Sequence, residues 1–205
     1  VSKIGYPDEV NVLRAEPLRY DCLMQNYVNR GVQNVTVGKV LILGDYDSEI
    51  TVKVIKIVRK VLSSLGYSRE LVFKAHPAAS PLSQKHFEGL SVSKSTISEE
   101  LLGNERVLVI GCQSTNGCLD AYLLGATVIL LSLSSRLNQS ALERSFKRCY
   151  FCSGADELKS VLMKRFESDD SYLDNIGDST HVIFQPNVNY PGWNAVIGML
   201  LGRNK

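Results

Sequence analysis

A strand, a turn and a helix follow one another in residues 39–66, KVLILGDYDSEITVKVIKIVRKVLSSLG. The run Val40–Leu43 is apolar throughout, which is typical of a parallel strand buried between two layers of helices. Asp47 or Ser48 can accept hydrogen bonds from the first amides of the helix that follows. Apolar residues then recur at helical spacing, at Ile50, Val54, Ile57, Val61 and Leu65. Gly66 ends the helix, so this stretch predicts one strand–helix unit of an α/β fold.

The same alternation recurs along the chain. Further core strands are predicted at Leu71–Phe73, Val107–Gly111, Val128–Leu131 and Cys149–Cys152. A short strand within 90–97 and helices over 98–102, from 113–117 to 124 and over 157–166 complete the pattern. It predicts a Rossmann-like α/β fold, a parallel sheet flanked by helices. We place this domain at residues 39–166, after a linker segment at 1–38 that packs on it, and before a mobile acidic loop and a docking helix at 167–205.

Composition narrows the class of protein. The formal net charge is only +2 and the basic residues are dispersed, which argues against a nucleic-acid partner. The apolar runs Val107–Ile110 and Ala126–Leu133 are too short to span a bilayer, and no signal peptide is visible. The chain begins at Val1 without a methionine, so we expect it to be part of a longer protein.

Five cysteines at irregular spacing make a poor disulfide framework and favour free thiols in a reducing cytoplasm. Cys149 and Cys152 form a C-x-x-C pair without the second pair that a zinc site needs. We therefore expect these two cysteines to be buried structural residues, and we expect no metal site in the chain.

Ligands of open parallel sheets bind at the carboxyl ends of the strands, so the loops there are the candidate site. The first loop contains Gly44, which permits a close backbone approach, and the acids Asp45 and Asp47. The acids are either a helix cap plus a solvated acid, or the acid pair of a haloacid-dehalogenase-like phosphatase. The latter would also need later motifs that the chain does not show.

The second and third loops offer hydrogen-bond donors. Lys74, His76 and Pro77 follow a buried strand, and the proline restricts the histidine to extended geometry. The third loop, at the start of a helix, contains Gln113, Ser114, Thr115 and Asn116. Such a loop is either an anion site or an ordinary helix cap, and His76 could alternatively hold a loop carbonyl. Together the two loops are suited to holding a phosphate, and neither provides a nucleophile–base pair.

A resemblance to known families rests on these residues and their order. Lys74-Ala75-His76-Pro77, then Gln113-Ser114-Thr115, then Asp120 and Gly125 resemble the C-terminal half of GT-B transferases. Examples are bacterial polysialyltransferases, capsule Kdo transferases and teichoic-acid glycerophosphotransferases. Glu16-Pro17-Leu18-Arg19-Tyr20 and Tyr190-Pro191-Gly192-Trp193 resemble a family of bacterial surface-carbohydrate biosynthesis proteins. The chain departs from the usual pattern in having Ala75 before His76, where Lys-Pro-His-Pro is common, and Asp120 where a glutamate is common.

The resemblance implies the nucleotide-sugar-binding domain of a glycosyltransferase in surface polysaccharide biosynthesis. His76 would be the catalytic residue, stabilising the leaving phosphate together with Ser114 and Thr115, and Lys74 would add positive charge. Gly44, Pro77, Gln113, Asn116 and Asp120 would complete the binding site. The resemblance implies a nucleotide-activated sugar as donor substrate, with no tightly bound cofactor. It also implies a glycan acceptor held by a missing N-terminal domain, and possible peripheral association of the full-length protein with the inner face of the membrane.

Three other functions fit parts of the pattern. A sugar-nucleotide epimerase has the same two-domain architecture but uses more acids and histidines at its cleft. A receiver-like module would use Asp45 and Asp47 as an acidic pocket, although Gly111-Cys112-Gln113 stands where its phospho-accepting aspartate would be. The phosphatase described above is the third.

Overall fold

The computed structural model describes residues 37–101, 106–133, 140, 142, 144 and 146–167. They form a six-stranded sheet in which every paired strand is parallel. The strands are β1 (Val37–Leu43), β2 (Glu70–Lys74), β3 (Ser91–Val92), β4 (Arg106–Cys112), β5 (Thr127–Leu131) and β6 (Cys149–Cys152). Their order is β3-β2-β1-β4-β5-β6, which is the order of a Rossmann fold. The predicted fold class is therefore confirmed.

Four α-helices connect or follow these strands. Within the described ranges they are α1 (Ser48–Ser64), α2 (Ile97–Leu101), α3 (Gly117–Leu123) and α4 (Ala155–Glu167), and a 3₁₀ turn covers Gln84–His86. Each strand and helix was predicted from the sequence to within a few residues. The described unit extends over residues 37–167.

Helix α1 shows why the sequence folds in this way. The Asp47 carboxylate caps its first turn by accepting hydrogen bonds from the amides of Glu49 and Ile50. Its buried face then packs on the sheet, with Ile50, Thr51, Val54, Ile55, Val58, Val61 and Leu62. Gly66 ends the helix with a φ of 65°, a left-handed conformation that glycine adopts without strain. The predicted cap and stop are confirmed, while the buried face is centred on Val54, Ile55 and Val58 and leaves Ile57 partly buried.

The sheet divides the core into two halves. Alternate residues of the central strands point to opposite faces, so Ile42 belongs to one half and Leu41 to the other. Helices α1 and α4 cover the face of Ile42, and α2 and α3 cover the face of Leu41. Because both faces are covered, the central strands are apolar without alternation, as their sequence indicated.

The order of the strands reverses between β1 and β4. From β1 the chain crosses to β2 and β3 on one side, and from β4 it continues to β5 and β6 on the other. The chain therefore leads from β1 and from β4 to opposite sides of this reversal. In open α/β sheets, ligands bind at the carboxyl ends of the strands beside such a reversal.

Some predictions fall outside the described residues. These are nearly all of the 1–38 linker segment, the acidic loop and docking helix after residue 167, and the two family-like segments at 16–20 and 190–193. Among the described residues, no helix is both long and apolar enough to cross a membrane.

Candidate functional site

The loops after β1 and β2 touch each other at the carboxyl edge of the sheet. The Gly44 amide donates to the Lys74 carbonyl at 2.8 Å. A Cβ atom at Gly44 would lie 3.1 Å from the His76 backbone nitrogen and 3.2 Å from the Phe73 ring. Such contacts are tighter than most side chains tolerate, so glycine here allows the His76 loop to approach β1.

The carboxylate of Asp45 lies between the loops after β1 and β4 and is only 3% exposed. Its Oδ2 atom accepts hydrogen bonds from the Ser114 hydroxyl, the Cys112 thiol and, at 3.3 Å, the Thr115 hydroxyl. Its Oδ1 atom accepts the Asp47 amide at 2.8 Å. This carboxylate thereby joins the two loops that flank the reversal of strand order.

These contacts decide the protonation of the two buried groups. Burial raises the pKa of the Asp45 carboxyl, but the hydrogen bonds from Cys112, Ser114, the Asp47 amide and Thr115 outweigh burial and bring the pKa below its usual value. Burial also raises the pKa of the Cys112 thiol, and the Asp45 carboxylate raises it further. At neutral pH a carboxylate therefore accepts from a protonated thiol, and the donors around Asp45 compensate for burying its charge.

The remaining contacts of the first loop are also structural. The Asp45 amide donates to the Thr51 hydroxyl at 2.8 Å, and Asp47 caps α1. The prediction of a capping residue at Asp47 is confirmed, but the prediction of a solvated acid at Asp45 is wrong. The sequence did not reveal this burial because the partners Cys112, Ser114 and Thr115 are 67 to 70 residues away.

His76 is half-buried, and one of its two ring nitrogens is held by its own loop. Its Nδ1 atom accepts the Ala78 amide at 3.2 Å, so in the neutral imidazole the proton is on Nε2. No polar atom of the described residues hydrogen-bonds to Nε2. The ring packs edge-to-face against Tyr46, with centroids 6.2 Å apart and an interplanar angle of 88°. This arrangement leaves a hydrogen-bond donor at the carboxyl edge.

Lys74 lies at the same edge, but its side chain is turned toward the loop after β3. Its Nζ donates to the Ser95 carbonyl. The neighbouring Glu100 forms an ion pair with Lys39 at 2.7 Å and also accepts from the Ser93 hydroxyl. In this arrangement Lys74 contributes positive charge near the edge without pointing its ammonium group at His76.

The loop after β4 is held in place by hydrogen bonds to Asp45 and not by a side-chain cap of helix α3. Ser114 is exposed and Thr115 is buried, and both hydroxyls donate to the Asp45 carboxylate. The N-cap of α3 is Asn116, whose side chain makes no capping bond.

Of the other predicted site residues, Gln113 is half-buried, while Asp120 is buried within α3. The structure thus brings Gly44, His76 and residues 113–116 to one edge and places Asp120 behind it.

The comparisons with known proteins address the fold. No family model matches the chain, and no curated protein matches it. Among solved structures, the chain is similar to the crystal structure of Methanocaldococcus jannaschii UDP-GlcNAc 2-epimerase in complex with UDP-GlcNAc and UDP. The TM-score is 0.50 and the sequence identity 11%, over 80% of this chain and 50% of the epimerase chain.

The two proteins share a fold. The epimerase has a GT-B-like fold with a parallel Rossmann-like sheet, and the present chain spans half of the epimerase's length. A six-stranded parallel sheet that corresponds to half of a GT-B-like protein is the architecture that the sequence indicated.

The C-x-x-C pair lies away from this edge, in strand β6. Cys149 and Cys152 are three residues apart in a strand, so their thiols lie on opposite faces of the sheet, in different halves of the core. Both are free and buried, and burial raises their pKa values to about 12 and about 11. The prediction of buried structural thiols is confirmed. Within the described ranges, no three His, Cys, Asp or Glu side chains come close enough together to hold a metal ion.

Proposed function

We propose that the carboxyl edge of β1, β2 and β4 binds the phosphate of a nucleotide-activated sugar. In this proposal the chain is the donor-binding half of a glycosyltransferase that acts in surface polysaccharide biosynthesis. The observation that carries the proposal is His76, which follows β2 at the carboxyl edge and whose Nδ1 is held by the Ala78 amide, so that Nε2–H is the ring donor left for a ligand.

Hydrogen bonding at the edge suits an anion with several oxygens. His76 donates from the β2 side. Ser114 is an exposed residue of the β4 side, and a rotation about its C–O bond would move its hydroxyl hydrogen from Asp45 to a ligand oxygen. Thr115 lies deeper and keeps that loop in position. His76 then stabilises the negative charge that develops on the departing phosphate, which is the way a fixed donor accelerates such a transfer.

The shared fold supports the same kind of ligand. The structurally similar epimerase is described in complex with UDP-GlcNAc and UDP. In an open parallel sheet the ligand binds at the carboxyl ends of the strands, so in this proposal a sugar nucleotide lies over the loops after β1, β2 and β4. The glycan acceptor would be held by the other half of the two-domain protein.

A sugar-nucleotide epimerase is the second candidate, favoured by that same structural match. Proton transfer at a sugar carbon needs acids and bases beside the sugar. Of the acids in the loop after β1, Asp45 is buried under four donors and Asp47 caps α1. Both aspartates therefore have structural roles, and an epimerase would need acids and bases from residues outside this loop.

The test of the proposed function is a binding measurement on His76→Ala. Isothermal titration with UDP, CMP, GDP and inorganic pyrophosphate gives the affinity of the parent chain. A hydrogen bond to a charged group contributes about 1.5–3 kcal/mol, so the variant should bind its best ligand about tenfold to a hundredfold more weakly, since about 1.4 kcal/mol is one decade. The melting temperature should change little.

His86→Ala is the matched control, because His86 is a half-buried histidine of the 3₁₀ turn. It should leave the affinity unchanged. An unchanged affinity of His76→Ala together with a lowered melting temperature would mean that His76 only holds its loop, and the phosphate-binding role would be rejected.

A further inference from the structure

Large hydrophobic side chains are exposed at the candidate site. Among the described residues, three are strongly exposed: Tyr46 at 70%, Val92 at 51% and Met163 at 41%. Tyr46 follows β1 and Val92 ends β3, so both lie at the carboxyl edge of the sheet, on the same side of the strand-order reversal as His76. Tyr46 is the aromatic one of the three, and it stands at the carboxyl ends of the strands, where ligands of open parallel sheets bind.

The backbone on both sides of Tyr46 is fixed. Asp45 is buried and joined to the loop after β4. Asp47 caps α1 and gives its amide to the Asp45 carboxylate. The exposure of Tyr46 therefore does not come from a loosely held loop. Its ring is exposed on a loop whose neighbouring residues are both held by hydrogen bonds.

We propose that the Tyr46 ring stacks on the nucleobase of the ligand whose phosphate contacts His76, a proposal that rests on the function proposed above. An aromatic ring held in advance loses little freedom when a base stacks on it, and every base offers a flat π-face. The contact between the Tyr46 and His76 rings keeps the Tyr46 ring next to the phosphate donor.

The chemistry of the Tyr46 ring decides between the base and the sugar as the stacked group. Tyr46 packs against His76, so a ligand whose phosphate contacts His76 brings one of its rings to Tyr46. A sugar ring needs hydrogen-bond partners for its hydroxyls, whereas a base offers a flat π-face to an aromatic ring. We therefore assign the base, and not the sugar, to the Tyr46 ring.

The test compares pyrophosphate, which has no nucleobase, with nucleotides, which have one. Binding of inorganic pyrophosphate, UDP, CMP, GDP and UDP-GlcNAc is measured for the whole chain and for Tyr46→Ala, Tyr46→Phe and Met163→Ala. Tyr46→Ala should weaken nucleotide binding about fivefold to a hundredfold, as expected for one lost base stack, and leave pyrophosphate binding unchanged. Tyr46→Phe keeps the ring and should bind like the parent, as should Met163→Ala.

Each other outcome identifies which claim fails. If Tyr46→Ala weakens pyrophosphate as much as nucleotides, Tyr46 positions His76 and does not stack, and the inference is overturned. A loss confined to UDP-GlcNAc, with UDP unaffected, would place the sugar on Tyr46 and also overturn it. Parent-like nucleotide binding by Tyr46→Ala would overturn it and leave the proposed function intact. If the parent chain binds neither pyrophosphate nor any nucleotide, the proposed function itself fails.

Discussion

At the scale of single residues, the buried Asp45 carboxylate joins the loops after β1 and β4. An aspartate directly after a strand is commonly a cap or an exposed acid, and the residue gives no sign of its burial. Its partners Cys112, Ser114 and Thr115 come from the end of a neighbouring strand, and only the order of the strands brings them within reach. The one signal in the sequence is a cluster of thiol and hydroxyl groups after β4, which can satisfy an acid as well as an external anion.

Asp45 should contribute to stability in a pH-dependent way. Its pKa in the folded chain is lowered, so its contribution is present at neutral pH and is lost as the pH falls below about 3.9, the usual value for an unfolded aspartate. Asp45→Asn should lower the free energy of unfolding by about 1–3 kcal/mol at pH 7, because the donors lose a charged acceptor. The difference between variant and parent should stay constant from pH 7 to pH 5 and shrink toward pH 3.

Urea unfolding of both proteins at pH 7, 5 and 3 measures this difference. Asp47→Asn is a useful comparison, because its side chain is a helix cap and asparagine is an equally good capping residue. A difference between Asp45→Asn and the parent that does not change with pH would show that Asp45 is not held as a carboxylate.

At the scale of elements, the sequence predicted strands and helices well because each is specified locally. The run Val40–Leu43 is apolar because both its faces are covered, and α1 has its cap at Asp47 and its stop at Gly66 within its own stretch. The geometry of the candidate binding edge was less predictable than the strands and helices. The positions of its loops followed from the general behaviour of parallel sheets, whereas the direction of the Lys74 side chain depends on the loop after β3.

Gly111 and Gly44 let neighbouring parts of the chain approach their strands at this edge. Alanine at either position should push these neighbours away. A Cβ at Gly111 would lie 2.5 Å from the Cys118 sulfur in α3, while one at Gly44 would lie 3.1 Å from the His76 nitrogen. Gly111→Ala should cost about 1–3 kcal/mol of stability, as overpacking of a core does. Gly44→Ala should cost less but should also weaken phosphate binding, because it displaces the His76 loop.

Gly154→Ala is the control for these variants, because a Cβ at Gly154 would meet no atom within 4 Å. Its free energy of unfolding in urea should match the parent or exceed it slightly, since alanine restricts the unfolded chain. If Gly111→Ala were as stable as Gly154→Ala, the close packing of α3 on β4 would be disproved.

At the scale of the whole molecule, the proposed function requires that the ligand bind at the carboxyl edge of the sheet. The parallel strands give the sheet two distinct edges, and the loops with donors and an exposed aromatic ring lie at the carboxyl edge. The opposite edge carries Gly66 and Gly125, which precede β2 and β5 and serve as turns with positive φ. The fold alone is compatible with many functions, so binding at the carboxyl edge is the claim that separates a nucleotide-sugar domain from other modules.

Amide chemical-shift mapping tests that claim most directly. The ¹⁵N-labelled chain is titrated with UDP, CMP, GDP and pyrophosphate, and the shifts are followed at both edges. We expect saturable shifts at Gly44, Tyr46, His76 and residues 113–116, with Gly66 and Gly125 unmoved. Shifts centred on Gly66 and Gly125, or no shifts with any of the four ligands at millimolar concentration, would contradict the assignment of this edge as a nucleotide-sugar phosphate site.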